Sequence, residues 1–456
     1  MSIAIPLLAA GTAAATKAVH RLATRLAALE SIDHAAFRAR TRQAFGRAMR
    51  PEQVVAAIIA DVRKRGDKAL VDYARRIDGV RLTPATLRVT AAERRAAFAR
   101  TPPAVRAALE LSARRIAEYQ TRLLPADVAP QAAKDGPPGV KSGLAWAPLR
   151  RVGLYVPAGT APLFSSVPML AVPALVAGVS DIAVATPCAR NGQVNDGILC
   201  ACEILGLKEI YKLGGVQAIA ALAFGSESVP AVDKIAGPGN LFVMLAKRAV
   251  FGHVDIDMLA GPSEVLILAD DSAPPAYIAA DMLAQAEHDV LASCVLVTTS
   301  HALVHKVLAE LEKQLPTLAR RDTARAALQD WGLILVVRTL SQAIAAANQL
   351  APEHLEVMTR HARTLAHRLT TAGAVFIGPY ATEPLGDYLA GPSHALPTGG
   401  TARAFSGVSV YTFLRRTSII EADASGLKAL GAPTMTLAAA EGLEAHRRAV
   451  AQRMIG

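Results

Sequence analysis

Eight short apolar runs, most of them rich in Val, Ile and Leu, recur along the chain after residue 150. Each is closed by a turn signal, and Ala- and Leu-rich stretches lie between them. VGLYVP (152–157), DIAVATP (181–187), EIYKLGG (209–215) and KIAGPGN (234–240) form one series. VLILAD (265–270), CVLVTTS (294–300), LILVV (333–337) and AVFIGP (374–379) form a second. Near-continuous apolar strands alternating with helices imply parallel sheets covered on both faces. Two series therefore predict two doubly wound units, with ligands at the carboxyl ends of their strands.

Other textures flank these series. Up to about Leu123 the chain is Ala-rich with helical spacing, and 124–143 (LPADVAPQAAKDGPPGVKSG) reads as a loop or an extended, two-stranded arm. An amphipathic helix is expected from about Thr434 to Met454. The fold class is α/β: two Rossmann-like doubly wound units with small helical N- and C-terminal domains.

Composition narrows the class further. Of 456 residues, 52% are hydrophobic, 19% charged and 4% aromatic, a globular balance that excludes disorder and collagen. Four cysteines (Cys188, Cys200, Cys202, Cys294) form no CxxC pair and are too sparse for a secreted disulfide framework. The most apolar stretch, Ser166 to Val179, contains Pro168 and Pro173 and falls short of the roughly 20 residues of a bilayer span. The start of the chain has no basic n-region of a signal peptide. These features predict a soluble, cytoplasmic protein. The net charge of +11 could signal nucleic acid or a membrane surface, but residues 1–125 alone carry 23 basic and 10 acidic side chains. Their arginines (Arg21, Arg25; Arg38, Arg42; Arg94, Arg95) stand among Ala and Leu at helical spacing, without aromatic interleaving. That pattern predicts solvated helix faces rather than a nucleic-acid reader.

No GxGxxG and no GxxxxGK[ST] is present; the nearest glycine turns are Tyr155-Val-Pro-Ala-Gly159 and Gly237-Pro-Gly239-Asn240. Residues with metal and acid–base chemistry gather after 285. In QAEHD (285–289), Gln285 and His288 share a helix face at i and i+3. In APEHLEV (351–357), Glu353 and His354 pair a carboxylate with an imidazole after Pro352, at what reads as the start of a helical turn. The Gly/Pro-dense segment 378–400 carries Asp387 and His394, and AAEGLEAHRRAV (439–450) carries Glu441 and His446. Two imidazoles, a carboxylate and an amide oxygen would make a mixed N/O shell for Zn2+, but spacing does not choose among these candidates.

Taken in order, RVGLYVPAG, GGVQAIAALAFG, DKIAGPGN, DMLAGPSE, QAEHD, APEHLE, GDYLAGPSHALPTGGTAR and AEGLEAH resemble the histidinol dehydrogenase family. The resemblance covers nearly the whole chain and is strongest from about Arg151 to Gly456. It implies a zinc-containing homodimer that oxidises L-histidinol through L-histidinal to L-histidine with two NAD+. By position, it implies zinc ligands at Gln285, His288, Asp387 and His446, the last donated to the partner subunit's site. Glu353 and His354 would be the catalytic pair. Ser263, His394 and Glu441 would hold substrate, alongside the zinc ligands and His354. Tyr155, Gln217 and Asn240 would contact NAD on a Rossmann-like domain that lacks the glycine-rich phosphate turn. Ala158, Val216 and Ser393 depart from the family pattern without removing a chemical group.

With this goes an expected division of the chain. An N-terminal helical arm spans 1–49. A first Rossmann-like domain (50–154 plus 266–408) carries most zinc and catalytic residues, a second (155–265) binds NAD, and a C-terminal helical domain (409–456) reaches the partner. Three rival readings are a relative acting on a sulfonated diol, a zinc hydrolase and a silent scaffold. Glu441 suits a cationic amino alcohol better than a sulfonate, no HExxH is present, and no ligand or base is lost.

Overall fold

A computed structural model of the chain describes residues 4–25, 39, 41–42, 45–158 and 162–455. Arg38 and Gly159 of the features above lie outside the described residues. In chain order the strands are β1 (Leu7–Ala9), β2 (Val128–Ala132), β3 (Val140–Pro148), β4 (Arg151–Tyr155), β5 (Asp181–Ala185), β6 (Glu209–Tyr211) and β7 (Lys234–Ala236). There follow β8 (Asp255–Ile256), β9 (Glu264–Ala269), β10 (Ser293–Thr298), β11 (Leu333–Val336), β12 (His354–Met358), β13 (Ala374–Ile377) and β14 (Leu414–Ala422).

The α/β class holds: two parallel sheets carry the fold. One has the order β6-β5-β4-β7-β8, the other β1-β11-β10-β9-β12-β13. Leaving β1 aside, each runs third, second, first, fourth, fifth in chain order, so their switch points fall between β4 and β7 and between β9 and β12. Strands β9 to β12 are buried along their whole length, which is why they read as continuous apolar runs.

Of the two readings of 124–143, a loop or a two-stranded arm, the arm holds, and β14 joins it to give the antiparallel order β14-β3-β2. The C-terminal helix is two helices, Ala424–Ala440 and Glu444–Met454, broken at Gly442, whose φ of +73° is the left-handed conformation that ends a helix.

Two expectations are corrected. HLEVM is strand β12 rather than a helical turn: Ala351 takes φ 49° at the end of helix Leu340–Leu350, and past Pro352 His354 pairs in parallel with Val265. Residues 51–73, expected to belong with 266–408, pack on the five-stranded sheet. Helices Pro51–Arg65 and Asp67–Tyr73 bury Val54, Ile58 and Leu70 against Tyr155, Leu213 and Ile219 of the five-stranded unit. Their apolar faces fit that sheet, which begins at Arg151, while the other sheet resumes at Glu264. In the first 49 residues, Leu7–Ala9 form an edge strand beside β11.

The turn after β7 is clamped from below. Gly237 has φ +126°, and a Cβ there would stand 2.1 Å from the Tyr155 carbonyl oxygen, so only glycine fits. Its N–H donates to Asp257 Oδ2 at 2.7 Å and its carbonyl accepts from Lys247 Nζ at 2.9 Å. Lys247 and Asp257 are ion-paired, with both side chains 1% exposed. Lys247→Met leaves a buried carboxylate unpaired, and denaturant unfolding should show a loss of about 3–5 kcal/mol. Arg448→Met, which breaks the exposed pair with Glu444, should leave the midpoint unchanged.

Candidate active site

At the amino ends of β9 and β12, one main-chain unit holds two titratable side chains. The Glu264 N–H donates to Glu353 Oε2 at 2.9 Å, and the Glu264 carbonyl accepts from His354 Nδ1 at 3.1 Å. Because a carbonyl only accepts, Nδ1 carries the proton and Nε2 presents a lone pair. That Nε2 is buried without a hydrogen-bond partner, 3.7 Å from Asp387 Oδ1. Burial lowers the His354 pKa below the ordinary histidine value, against the pull of the Asp387 charge. Burial also pushes the Glu353 carboxyl well above the carboxylate range, and the Glu264 and Asp387 charges add to this.

Glu264 is itself held. Its Oε1 accepts from Gly399 N at 3.0 Å and from Arg25 Nη1 at 3.4 Å, and the Arg25 guanidinium stacks 4.9 Å from the Trp331 ring centre. Arg25 is 1% exposed, so it does not belong to a solvated helix face. It is a buried cation beneath an acidic site.

The reactive pair occupies the amino ends of its sheet, where carboxyl ends were expected. Helix Pro275–Ala286 runs back along the sheet and delivers Gln285 and His288 to that end. Donor atoms of His288, Glu383 and Asp387 lie within 4.8 Å of one another. Gln285 is fully buried. Its amide is satisfied with the nitrogen donating to Glu383 Oε1 at 3.0 Å, Glu383 Oε2 at 3.1 Å and the Glu264 carbonyl at 3.3 Å. Burial raises the Glu383 carboxyl well above its ordinary range, with further push from the Asp387 and Glu353 charges. An imidazole, carboxylates and an amide among so many crowded acids form a donor set that fits a borderline divalent cation such as Zn2+.

His394 is half-buried and bonds through Nδ1 to the Asp387 carbonyl at 3.0 Å and through Nε2 to Ser166 Oγ at 3.1 Å. Burial lowers its pKa. Ser166 opens helix Ser166–Ala177 after β4, so His394 ties this site to the carboxyl end of the five-stranded sheet. Ser263 immediately precedes Glu264 and is half-buried. Glu441 and His446 are exposed on the terminal helix pair, and within one chain the fold does not bring His446 into the donor cluster.

The remaining candidates share the carboxyl end of the five-stranded sheet. Tyr155 ends β4, and its hydroxyl accepts from Gly215 N at 3.1 Å. Burial pushes its pKa up to about 12. Gln217 is buried in helix Gly215–Phe224 and donates through Nε2 to Asp78 Oδ2 at 2.9 Å. Asp78 ends the short π-helix Ala74–Asp78, exposed as a residue but with its carboxyl turned in to Gln217, and burial of that group raises it to about 6. Asn240 follows the clamped Gly237 turn and caps helix Leu241–Val250, its Oδ1 accepting from Phe242 N and Val243 N at 3.0 and 3.2 Å.

The family model for histidinol dehydrogenase matches residues 40–454. The chain belongs to the histidinol dehydrogenase family. It is 49% identical over 411 residues to the histidinol dehydrogenase of Moorella thermoacetica, covering 90% of this chain and 96% of that one. It is 47% identical over 403 residues to that of Syntrophotalea carbinolica, covering 88% and 92%. The crystal structure of histidinol dehydrogenase from Elizabethkingia anophelis superposes with a TM-score of 0.88 at 33% identity, covering 99% of this chain and 98% of that one. The chain is thus an oxidoreductase of histidine biosynthesis.

For this histidinol dehydrogenase family member, sequence reasoning missed Glu264, Glu383 and Arg25. Glu383 had a legible signal: it stands four residues before Asp387, so both carboxylates share a helix face. Glu264 and Arg25 had none, since they meet across 239 residues.

The depressed His354 pKa has a direct readout. Followed by its imidazole NMR signals, the ring should stay neutral, protonated at Nδ1, as pH falls through 6.5, and should take a second proton only below the ordinary histidine range. A midpoint at or above 6.5 would contradict the desolvated setting.

Proposed function

We propose that this chain catalyses the zinc-dependent, NAD-linked four-electron oxidation of L-histidinol to L-histidine through bound L-histidinal. The observation that carries the reading is the unpartnered His354 Nε2, fixed as a base by the Glu264 carbonyl and aimed at the His288–Glu383–Asp387 cluster.

Gln285, His288 and Asp387 would hold Zn2+, which when bound supplies a fixed anchor for the substrate's imidazole and amine without redox chemistry of its own. Tyr155, Gln217 and Asn240 would hold NAD+, which supplies a hydride acceptor in each of two steps. In the first step His354 Nε2 takes the alcohol proton as hydride leaves the carbinol carbon, giving the aldehyde. In the second, Glu353 removes a proton from water, which adds to the aldehyde carbon. Loss of hydride from that hydrate gives the carboxylic acid. Ser263 and His394 would line the substrate on the half-buried side, and His394 joins this pocket to the dinucleotide end through Ser166.

Glu441 and His446 complete the site from a second copy of the chain in this reading. Their exposure on the terminal helices within one chain supports it, and so do the exposed apolar side chains Leu430, Leu437 and Ile455 of the same region. The working unit is then a homodimer with shared sites. The proposed domains follow the two sheets, with 414–456 as the exchanged C-terminal part. The cytoplasm is the proposed compartment; no described helix is long and apolar enough to cross a membrane.

With limiting L-histidinol and excess NAD+, two NADH should form per histidinol. One NADH, or none, would sink the four-electron reading. Glu353→Gln should keep zinc and slow oxidation of supplied histidinal by about 100-fold or more, with a smaller effect on the alcohol step. Equal slowing of both would remove the water-activating role. His446→Ala should lose zinc affinity and activity together, and full zinc content at the full rate would discredit His446 as a ligand.

A further inference from the structure

Glu383 lies inside the donor cluster, yet its geometry sets it apart from His288 and Asp387. It is 1% exposed, deeper than its half-buried neighbours. Assigned by its hydrogen bonds, the Gln285 amide turns its nitrogen to both Glu383 oxygens, at 3.0 and 3.1 Å. An amide has one acceptor end and one donor end, and only the oxygen can face a cation. The Glu264 carbonyl, 3.3 Å from the same nitrogen, is the longer and weaker of its acceptors, so loss of the Glu383 carboxylate frees Gln285 to turn by half and present its NH2 group.

The carboxylate that prevents this rotation is anchored from two sides. The Glu383 N–H donates to Glu356 Oε1 at 2.9 Å, fastening the start of helix Glu383–Tyr388 to β12. The preceding Thr382 hydroxyl donates to Asp281 Oδ1 at 2.7 Å. Asp281 stands one turn before Gln285 on the same helix, so the segment carrying Glu383 is tied to the helix carrying the amide it orients.

From this we infer that Glu383 is a positioning residue for the metal site, which holds the Gln285 amide with its oxygen toward the cation rather than ligating the cation itself. The inference rests on the zinc reading above. Outer partners of this kind typically change metal affinity by about 10- to 100-fold when removed.

The test is a zinc competition titration of the full-length, metal-free chain against a chromophoric chelator, for wild type, Glu383→Ala, Gln285→Ala and the double variant. Glu383→Ala should bind zinc about 10- to 100-fold more weakly. On the Gln285→Ala background, the same change should cost less than about twofold, because the group it acts through is gone. With Co2+ in place of zinc, the visible bands of Glu383→Ala should keep their positions, as an unchanged set of ligand types requires. If Glu383→Ala does not fold, Glu383→Leu, which keeps the bulk but has no acceptor, carries the same comparison.

Wild-type affinity in the Glu383 variant, or losses that multiply in the double variant, would overturn the inference. A displaced cobalt spectrum would also overturn it by making Glu383 a ligand. A wild-type chain that takes up no zinc overturns the metal reading itself, which is a separate and distinguishable result.

Discussion

The two hydrogen bonds of the Glu264 main chain are the constraint on which the rest of the site depends. One peptide segment donates to Glu353 and accepts from His354, so a single strand start sets the position of a carboxylate and the tautomer of an imidazole. Parallel pairing of β12 with β9 fixes that relation: His354 lies opposite Val265, and a slip of one residue would turn His354 to the other face of the sheet. Every other feature of the site supports this strand pair or uses it. Arg25 and Gly399 hold the Glu264 side chain, and the chain's return through 378–400 brings Asp387 within 3.7 Å of His354 Nε2.

The site is crowded with acids in a setting that disfavours their charge. Glu264, Glu353, Glu356 and Glu383 all have carboxyl groups raised by burial. Arg25 stands beside Glu264 and Glu353, where its charge opposes the rise without cancelling it. Desolvation on this scale costs stability unless a counter-charge compensates it. In the proposed reading, a divalent cation held by His288, Asp387 and Gln285 would be the counter-charge to this pocket, and its uptake would be coupled to the stability of the folded chain.

The sequence showed the two-sheet architecture plainly, because β9 to β11 are buried on both faces and leave unbroken apolar runs. β12 escaped because Pro352 and the following Glu-His pair imitate a helix start; the deciding fact, the left-handed Ala351, is a backbone conformation that composition does not encode. The grouping of 50–121 escaped for a related reason: an amphipathic helix declares that it has an apolar face without naming the sheet that covers it. Motif reading gathered Gln285, His288, His354, Asp387, His394, Glu441 and His446 from residue 285 onward; the fold brings the first five together with Glu353 and leaves Glu441 and His446 exposed on the terminal helices. Glu264 appeared only as the last letter of DMLAGPSE, since its hold on Glu353 and His354 is made by backbone atoms that every residue shares.

Placing the reactive groups at the amino rim of the six-stranded sheet frees the opposite rim. The loops that follow β9, β10 and β11, including Asp271 with its exposed partner Arg360, hold none of the residues that meet around His354. Insertions and sequence drift can accumulate there without disturbing the reaction. The turns at the reactive rim have no such latitude, because Pro352, Glu353 and Thr398 are packed inside the protein.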